Sequence, residues 1–242
     1  MQDDNGRKPT VRINKFLSDA GICSRREADR QVLAGKVKID GVDAVMGDKV
    51  EQGQAVTYCG KEISKEEAVI LLVVNKPVGV VCTAQKKEKN NVVDFINYPK
   101  RIYPVGRLDK DSKGLLLMTN QGELVNKIMK AQNMHEKEYV VTVNKGLTAD
   151  FIKQMSQGVF LEELKRRTRD CKIWQTKKRT FHIILTQGLN RQIRRMCENF
   201  HYEVVELERI RIMNIKLGNL KSGTYRNVTT EELDQLYQDI NG

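Results

Sequence analysis

The chain has 242 residues, of which 40% are hydrophobic and 30% charged, with a formal net charge of +11 and a pI near 9.4. This size allows one large core or two domains, and the positive charge indicates a polyanionic partner, most simply a nucleic acid. The longest apolar stretch, residues 68–81, is interrupted by Asn75-Lys76-Pro77 and is too short to cross a bilayer. With no apolar signal region at the start, we expect a soluble cytoplasmic protein that does not bind membranes.

Neither the cysteines nor the histidines form a pattern typical of a structural site. The five cysteines are scattered and never occur as C-x-x-C, which favours a reducing compartment over a disulfide framework. The three histidines have no metal-ligand spacing among themselves or with a cysteine. We therefore predict no metal site.

The N-terminal quarter of the chain has the pattern of a small separate module. We expect residues 1–10 to be a disordered polar tail and residues 11–62 to form a domain. Apolar residues at helical spacing predict a first helix over 13–20. Ser24-Arg25-Arg26-Glu27 has the form of a capping box that opens a second helix, and Asp40-Gly41 is typical of a hairpin turn.

This module resembles the S4 (αL-like) RNA-binding domain. The resemblance is carried by three segments: Arg12-Ile13-Asn14-Lys15-Phe16-Leu17, Gly21-Ile22-Cys23-Ser24-Arg25-Arg26-Glu27-Ala28 and Gly35-Lys36-Val37. Charge alone would not reveal it, since residues 11–60 contain eight Lys and Arg against seven Asp and Glu. It implies that RNA is contacted by Lys15, Ser24, Arg25, Arg26, Arg30 and Lys36. A helix N-terminus and guanidinium groups both suit phosphate, although a solvated helix face is the alternative reading.

The rest of the chain, residues 68–242, has the mixed pattern of an α+β domain. Apolar or alternating runs predict strands at 69–74, 115–118, 138–143 and 181–185, and helical spacing predicts helices near 92–96, 122–129 and 148–155. Residues 188–196 have the pattern of a loop that enters a helix. Between Lys165 and Arg211 there are thirteen Lys and Arg against five Asp and Glu, which favours contact with phosphates.

One charged loop precedes the apolar run 115–118. Its sequence is Gly106-Arg107-Leu108-Asp109-Lys110-Asp111-Ser112-Lys113-Gly114. Glycines permit a tight backbone, and a strand behind the loop would hold its side chains in place. Arg107 and Asp109 could face a cleft while Leu108 is buried. On spacing alone, an ordinary charged turn before a core strand is the competing interpretation.

Several separated segments together resemble the RsuA/RluA branch of the pseudouridine synthases. They are Gly106-Arg107-Leu108-Asp109 with Gly114-Leu115-Leu116, Lys137-Glu138-Tyr139, Asn190-Arg191-Gln192-Ile193-Arg194-Arg195-Met196, and Asn75-Lys76-Pro77-x-Gly79. With the S4-like module in front, the resemblance covers nearly the whole chain from Val11 onward. It implies a catalytic domain built on a mixed, largely antiparallel sheet with a central cleft.

The resemblance also implies the chemistry and the site. Uridine would be isomerised by breaking its N-glycosidic bond and rejoining the base to the same sugar carbon through C5, so that no redox cofactor or metal is required. Asp109 would attack C1′ or remove the C2′ proton, a choice that the sequence leaves open. Arg194 would pair with Asp109 and orient it, and Tyr139 would stack on the base with its hydroxyl near C5. Arg107 would fill the gap left by the flipped uridine. Further substrate contacts are implied for Asn190, Arg191, Gln192 and Arg195.

The expected partner is ribosomal RNA, with 23S rRNA as the main candidate, recognised at a stem-loop by a monomeric protein; a tRNA substrate stays open. Two other classes are possible from the sequence. An S4 protein that only binds RNA would not need Asp109, Tyr139 and Arg194. A methyltransferase would need a glycine-rich loop between a strand and a helix, and no such loop follows a candidate strand.

Overall fold

The computed structural model describes residues 10–64, 68–85 and 87–241, so the tail predicted for residues 1–10 lies outside the described residues except for Thr10. The chain divides into two compact units. One contains the described residues up to Val69 together with Pro99–Arg101, and the other contains Ile70–Tyr98 and the chain from Ile102 onward.

The first unit combines two short helices with small antiparallel sheets. Its elements in chain order are β1 (Thr10–Arg12), α1 (Ile13–Asp19), α2 (Arg25–Leu33), β2 (Val37–Ile39), β3 (Val42–Asp43), β4 (Lys49–Glu51), β5 (Val56–Tyr58) and β6 (Lys61–Ile63). β1 pairs with β4, and the other strands form a sheet in the order β3-β2-β5-β6. Ile13 and Leu17 from α1 pack with Ala28 and Val32 from α2 in the core of this unit. The two predicted helices and the hairpin are therefore confirmed.

The second unit is larger and mixes helices and strands along the chain. Its elements are β7 (Leu71–Lys76), α3 (Val92–Ile96), β8 (Tyr103–Val105), β9 (Lys113–Thr119), α4 (Gly122–Met129), β10 (Lys137–Val143), α5 (Ala149–Ser156), β11 (Phe160–Leu161), β12 (Arg166–Arg167), β13 (Lys172–Lys177), β14 (Thr180–Leu185), α6 (Gln192–Glu198), β15 (Val204–Ile212), β16 (Ile215–Lys216), β17 (Tyr225–Asn227) and α7 (Thr230–Asn241). Short 3-10 turns follow α4 and β11.

One large sheet organises the second unit. In the described residues its strand order is β13-β14-β10-β15-β9-β7-β17, with β16 added beside β15 and β8 beside β9. The pairs are antiparallel apart from β15 with β9, which is parallel. The predicted mixed, largely antiparallel sheet and the α+β fold class are confirmed.

The central strands β7 and β9 are buried on both faces of this sheet. Leu72, Val74 and Leu116 pack in the core on one face, while Leu71 and Leu115 pack on the other with α7. Strands covered on both sides have nearly continuous apolar sequences, which explains why these two segments could be recognised without alternation. No helix in the described part of the chain has the length and apolar character needed to cross a membrane.

Candidate active site

A cavity of about 410 Å³ opens beside strands β10 and β15 of the large sheet. Its walls come from the loop before β9, from β10, from the loop before α6 and its first turn, and from β15. The lining residues are 106–109, Ser112, Met129, Lys137, Tyr139, Leu185, 187–194, Leu207 and Arg209. One carboxylate, that of Asp109, stands in this lining among five cationic side chains. The loops and strands predicted to carry the site thus meet at one place.

Two amides of the loop that carries Asp109 donate hydrogen bonds that fix its shape and position. The amide of Leu108 donates to Cys82 Sγ at 3.3 Å, and the amide of Ser112 donates to the Asp109 carbonyl at 3.1 Å. The loop ends at Gly114, whose φ of +103° and close approach to the backbone of Arg209 leave no room for a Cβ. Asp109 is therefore presented to the cavity by a fixed turn, with its side chain half-buried.

Tyr139 reaches the cavity because β10 alternates between the two faces of the sheet. Lys137, Tyr139, Val141 and Val143 are buried on the core side, and the residues between them are half-buried on the other side. Tyr139 is 9% exposed and lines the same cavity as Asp109 and Arg194. A ring in this position can stack on a nucleobase that enters the cavity.

Arg194 lines the same cavity but does not pair with Asp109, which corrects the expected ion pair. Its guanidinium is 7% exposed and donates to the carbonyl of Val204 at 2.9 Å and to the carbonyl of Asp111 at 2.9 Å. Within the described residues, no ion pair joins Arg194 to Asp109. A guanidinium can satisfy carbonyl oxygens as well as carboxylates, and here it fastens the backbone of the Asp109 loop to α6.

Of the other residues expected to contact the substrate, Arg107, Asn190, Arg191 and Gln192 line the cavity, whereas Arg195 does not. Arg107 is exposed at the cavity, and Arg191 lines it while its Nη1 lies 3.6 Å from Asp111 Oδ2. Asn190 and Gln192 also line the cavity, and Gln192 Oε1 accepts a hydrogen bond from the Leu189 amide at 3.0 Å, which stabilises the entry to the helix.

Arg195 is directed elsewhere. Its guanidinium donates to the Asn190 carbonyl at 3.0 Å and forms an ion pair with Glu163, and the residue is not part of the cavity lining. Asp111 contacts two arginines of this region: its carbonyl accepts from Arg194 at 2.9 Å, and its Oδ2 lies 3.6 Å from Arg191 Nη1.

Two buried lysines give the region an unusual electrostatic character. Burial lowers the pKa of Lys76, whose Nζ donates to the carbonyls of Pro77 and Val80; Cys82, and then Asp109 and Asp111, partly offset that effect. Burial and then the charge of Arg209 lower the pKa of Lys137 to about 8. A strongly perturbed lysine in a cavity lining, as Lys137 is, is typical of functional sites.

Four polar residues of the cavity lining were not among the predicted site residues: Ser112, Lys137, Gln187 and Arg209. For Lys137 a signal was present, because it precedes Tyr139 by two positions on a strand and must share its face. Arg209 is 1% exposed, and its position opposite Tyr139 comes from the pairing of β10 with β15. That pairing cannot be read from local sequence.

In the first unit the candidate RNA contacts lie at both ends of α2 and on α1. Ser24 is the N-cap residue, and its Oγ accepts from the amide of Glu27 at 3.3 Å, as the capping-box pattern predicts. Arg25 and Arg26 are exposed in the first turn, and Lys36 is exposed after the helix. Arg30 pairs with Glu27 at 3.1 Å, and Lys15 pairs with Asp19 at 3.0 Å. In the described residues no group of three or more His, Cys, Asp or Glu side chains could hold a metal ion.

Comparison with known proteins matches both units. Residues 70–199 match the RNA pseudouridylate synthase family, and residues 11–54 match the S4 domain. The chain is 51% identical over 233 residues to the dual-specificity RNA pseudouridine synthase RluF of Escherichia coli strain K12, covering 96% of this chain and 80% of that protein. It is 38% identical to the ribosomal large subunit pseudouridine synthase B of Bacillus subtilis strain 168, covering 93% and 95% of the two chains.

A solved pseudouridylate synthase structure also matches, with a TM-score of 0.69 and 25% identity over 93% of this chain and 99% of that one. The fold and the cavity define a pseudouridylate synthase architecture joined to an RNA-binding module. The chain belongs to the RNA pseudouridylate synthase family and carries an N-terminal S4 domain.

Proposed function

We propose that this protein isomerises uridine to pseudouridine in 23S rRNA, with Asp109 as the catalytic carboxylate and without a cofactor. The observation that supports the proposal most directly is the meeting of Asp109, Tyr139 and Arg194 in one cationic cavity, although they lie far apart in the sequence. The high identity to enzymes named as RNA pseudouridine synthases supports it independently. The named relative with dual specificity makes a tRNA a reasonable second substrate to include in assays.

The geometry suits a reaction in which the base leaves and returns without water. Apolar side chains, Leu108, Leu185, Ile193 and Leu207, alternate with charged groups in the cavity walls. A hydrolase that cleaves a glycosidic bond needs a second carboxylate to activate water, whereas this lining offers a single one. Asp109 would act on the ribose, by attack at C1′ or by removal of the C2′ proton, while Tyr139 stacks on the uracil.

The remaining residues would place the nucleotide. Arg107, exposed at the cavity, would occupy the space that the flipped uridine leaves in the RNA. Arg194 acts as a positioning residue, since it fastens the carbonyl of Asp111 and thereby the turn that presents Asp109. Asn190, Arg191 and Gln192 would contact the nucleotide or its phosphates, and Arg195 would support them through its bonds to Asn190.

In this proposal residues 11–62 form the RNA-binding domain and residues 68–242 the catalytic domain of a cytoplasmic monomer. Ser24, Arg25, Arg26 and Lys36 would bind the phosphates of a stem-loop, because the helix N-terminus and the exposed cations suit anions. Lys15 and Arg30 would contribute less, since each already has an acidic partner.

The reaction is tested by tritium release from 23S rRNA labelled at C5 of uridine, because C5 loses its hydrogen as pseudouridine forms. We expect release by the wild type and none by Asp109→Asn. The matched control is Asp111→Asn, which should remain active, since the backbone and not the carboxylate of Asp111 holds Arg194. A wild type that binds rRNA but releases no tritium would support the alternative, an S4 protein that only binds RNA. Full activity in Asp109→Ala would transfer the catalytic role to Asp111.

The role of the S4 domain is tested separately by the salt dependence of rRNA binding. Arg25→Ala with Arg26→Ala should weaken binding and reduce the slope of log affinity against log salt by roughly one for each phosphate that the variant no longer neutralises. Lys38→Ala is the control, because Lys38 lies in the same unit but pairs with Asp43 at 3.1 Å. Equal slopes for the two variants would remove Arg25 and Arg26 from the RNA interface.

A further inference from the structure

The cavity concentrates polar atoms that have no partner. Among the described residues, six buried side-chain nitrogen and oxygen atoms make no hydrogen bond, and four of them belong to residues of the cavity lining. These four are Ser112 Oγ, Gln187 Nε2, Arg194 Nε and Arg209 Nη2. Buried polar groups are normally paired, because an unpaired one loses its hydrogen bonds to water and gains none in return. Their presence around one cavity indicates that it receives a polar ligand.

Arg209 is the most informative of the four. It is 1% exposed, and its Nε donates to the Leu115 carbonyl at 2.7 Å, which fixes the plane of the guanidinium and leaves Nη2 without a partner. In the pairing of β10 with β15, Arg209 lies directly opposite Tyr139, so the two side chains share the cavity side of the sheet. Within the described residues, no carboxylate lies within ion-pair distance of Arg209.

A second cation lies next to this position. Lys137 is 4% exposed, lines the cavity two residues before Tyr139, and donates from Nζ to the His135 carbonyl at 3.0 Å. The pKa of Lys137 is lowered to about 8, first by burial and then by the charge of Arg209. Two buried cations without a carboxylate between them destabilise the empty site, and an anion formed inside the cavity would relieve that cost.

The proposed reaction forms such an anion, whichever route Asp109 takes. When the bond between N1 and C1′ breaks, its electron pair stays on the base and yields a uracil anion, with charge shared by N1, O2 and O4. If Asp109 attacks C1′, its oxygen bonds to that carbon; if Asp109 acts as a base, it takes the C2′ proton. In both cases the negative charge moves from Asp109 to the uracil. It returns to Asp109 when C5 bonds to C1′, after which C5 loses a proton and N1 gains one.

We infer that Arg209 is a further catalytic residue, whose guanidinium donates to a carbonyl oxygen of the uracil and stabilises the anion released at bond cleavage. This inference rests on the proposed function. A preorganised donor in a buried site acts most strongly where charge develops during the reaction, and losing one typically costs about 10²–10³-fold in rate. The fixed Nε bond to Leu115 supplies that preorganisation.

The test compares two leaving groups in the full-length protein. 23S rRNA is transcribed with uridine or with 5-fluorouridine, whose base forms a more stable anion and needs less help to leave. The single-turnover rate of N-glycosidic bond cleavage is measured by digestion to nucleosides and liquid chromatography with mass spectrometry, in which pseudouridine, an isomer of uridine, is separated by its retention time. Arg209→Met should slow cleavage by about 10²–10³-fold on uridine and by at least about tenfold less on 5-fluorouridine. Arg209→Lys keeps the positive charge but loses the guanidinium that the bond to Leu115 holds in place. Its cleavage rate should also fall more on uridine than on 5-fluorouridine, but by a smaller factor than in Arg209→Met.

Arg211→Met is the matched control. Arg211 lies two residues along the same strand and bonds to Glu138 at 2.9 Å and to Glu136 at 3.0 Å, outside the cavity lining. The Arg211→Met variant should change the cleavage rate by the same factor on both transcripts.

An equal fold-loss on the two transcripts for Arg209→Met would overturn the inference and leave Arg209 a packing residue. If Arg209→Met loses its thermal unfolding transition in circular dichroism, Arg209→Lys decides by the same criterion, because it retains the charge and most of the length. A wild type that cleaves neither transcript would instead refute the proposed function, and the inference about Arg209 with it. The two failures are therefore distinguishable.

Discussion

The hydrogen bonds made by Arg194 give the sharpest test of how the active-site loop is held. Arg194→Met keeps most of the side-chain volume but removes two hydrogen bonds of 2.9 Å to the carbonyls of Val204 and Asp111. Hydrogen bonds from a charged group contribute about 1.5–3 kcal/mol each, so the free energy of unfolding should fall by roughly 3–6 kcal/mol. That is a large part of the usual stability of a domain, about 5–15 kcal/mol.

A double-mutant cycle with Asp109→Asn separates this arrangement from an ion pair. Because the guanidinium bonds to backbone carbonyls, the coupling free energy between Arg194→Met and Asp109→Asn should stay below about 0.5 kcal/mol, whereas directly paired residues couple by about 0.5–3 kcal/mol. The measurement is urea unfolding of the wild type, both single variants and the double variant, followed by circular dichroism. A coupling of about 2 kcal/mol or more would refute the backbone assignment and restore the ion pair that the sequence suggested.

Three further predictions concern backbone space, pH and thiol reactivity. Gly114→Ala should abolish or severely reduce folding, because its Cβ would collide with the backbone of β15, whereas Gly79→Ala, at a φ of +91° with open space around it, should cost only about 1 kcal/mol in urea unfolding. The pKa of Lys137 is about 8 in the folded protein and about 10.4 in an unfolded chain, so the unfolded state binds more protons between these values. The stability of the wild type relative to Lys137→Met should therefore rise with pH in this window, by up to about 1.4 kcal/mol per pH unit; a difference that does not change with pH would contradict the assigned burial. Burial raises the pKa of the Cys197 thiol to about 12, so iodoacetamide at mildly alkaline pH should label the exposed Cys59 and leave Cys197 unmodified until urea unfolds the protein, as read by peptide mass spectrometry.

Much of the fold could be predicted because local signals agreed with the final packing. The capping box at Ser24, the Asp40-Gly41 turn and the apolar periodicity of residues 122–129 each depend on neighbours within a few positions, and each is found as expected. No prediction was made for β15 or α7. The burial of β15 does not alternate, since the register with β10 shifts at two places. For α7 a helical pattern was present in Leu233, Leu236, Tyr237 and Ile240, which pack against the sheet.

Sequence motifs alone identified the segments that line the cavity, because Asp109, Tyr139 and the residues around Arg194 belong to recognisable patterns and are found together there. The contacts that these groups make could not be predicted from the motifs and follow from the three-dimensional packing. The choice of Arg194 between a carboxylate and two carbonyls depends on where a loop lies relative to a helix. The position of Arg209 opposite Tyr139 depends on the register of two strands that lie far apart in the sequence. The register of distant strands and the hydrogen-bond partners of buried side chains follow from the packing of the whole sheet, and no local pattern encodes them.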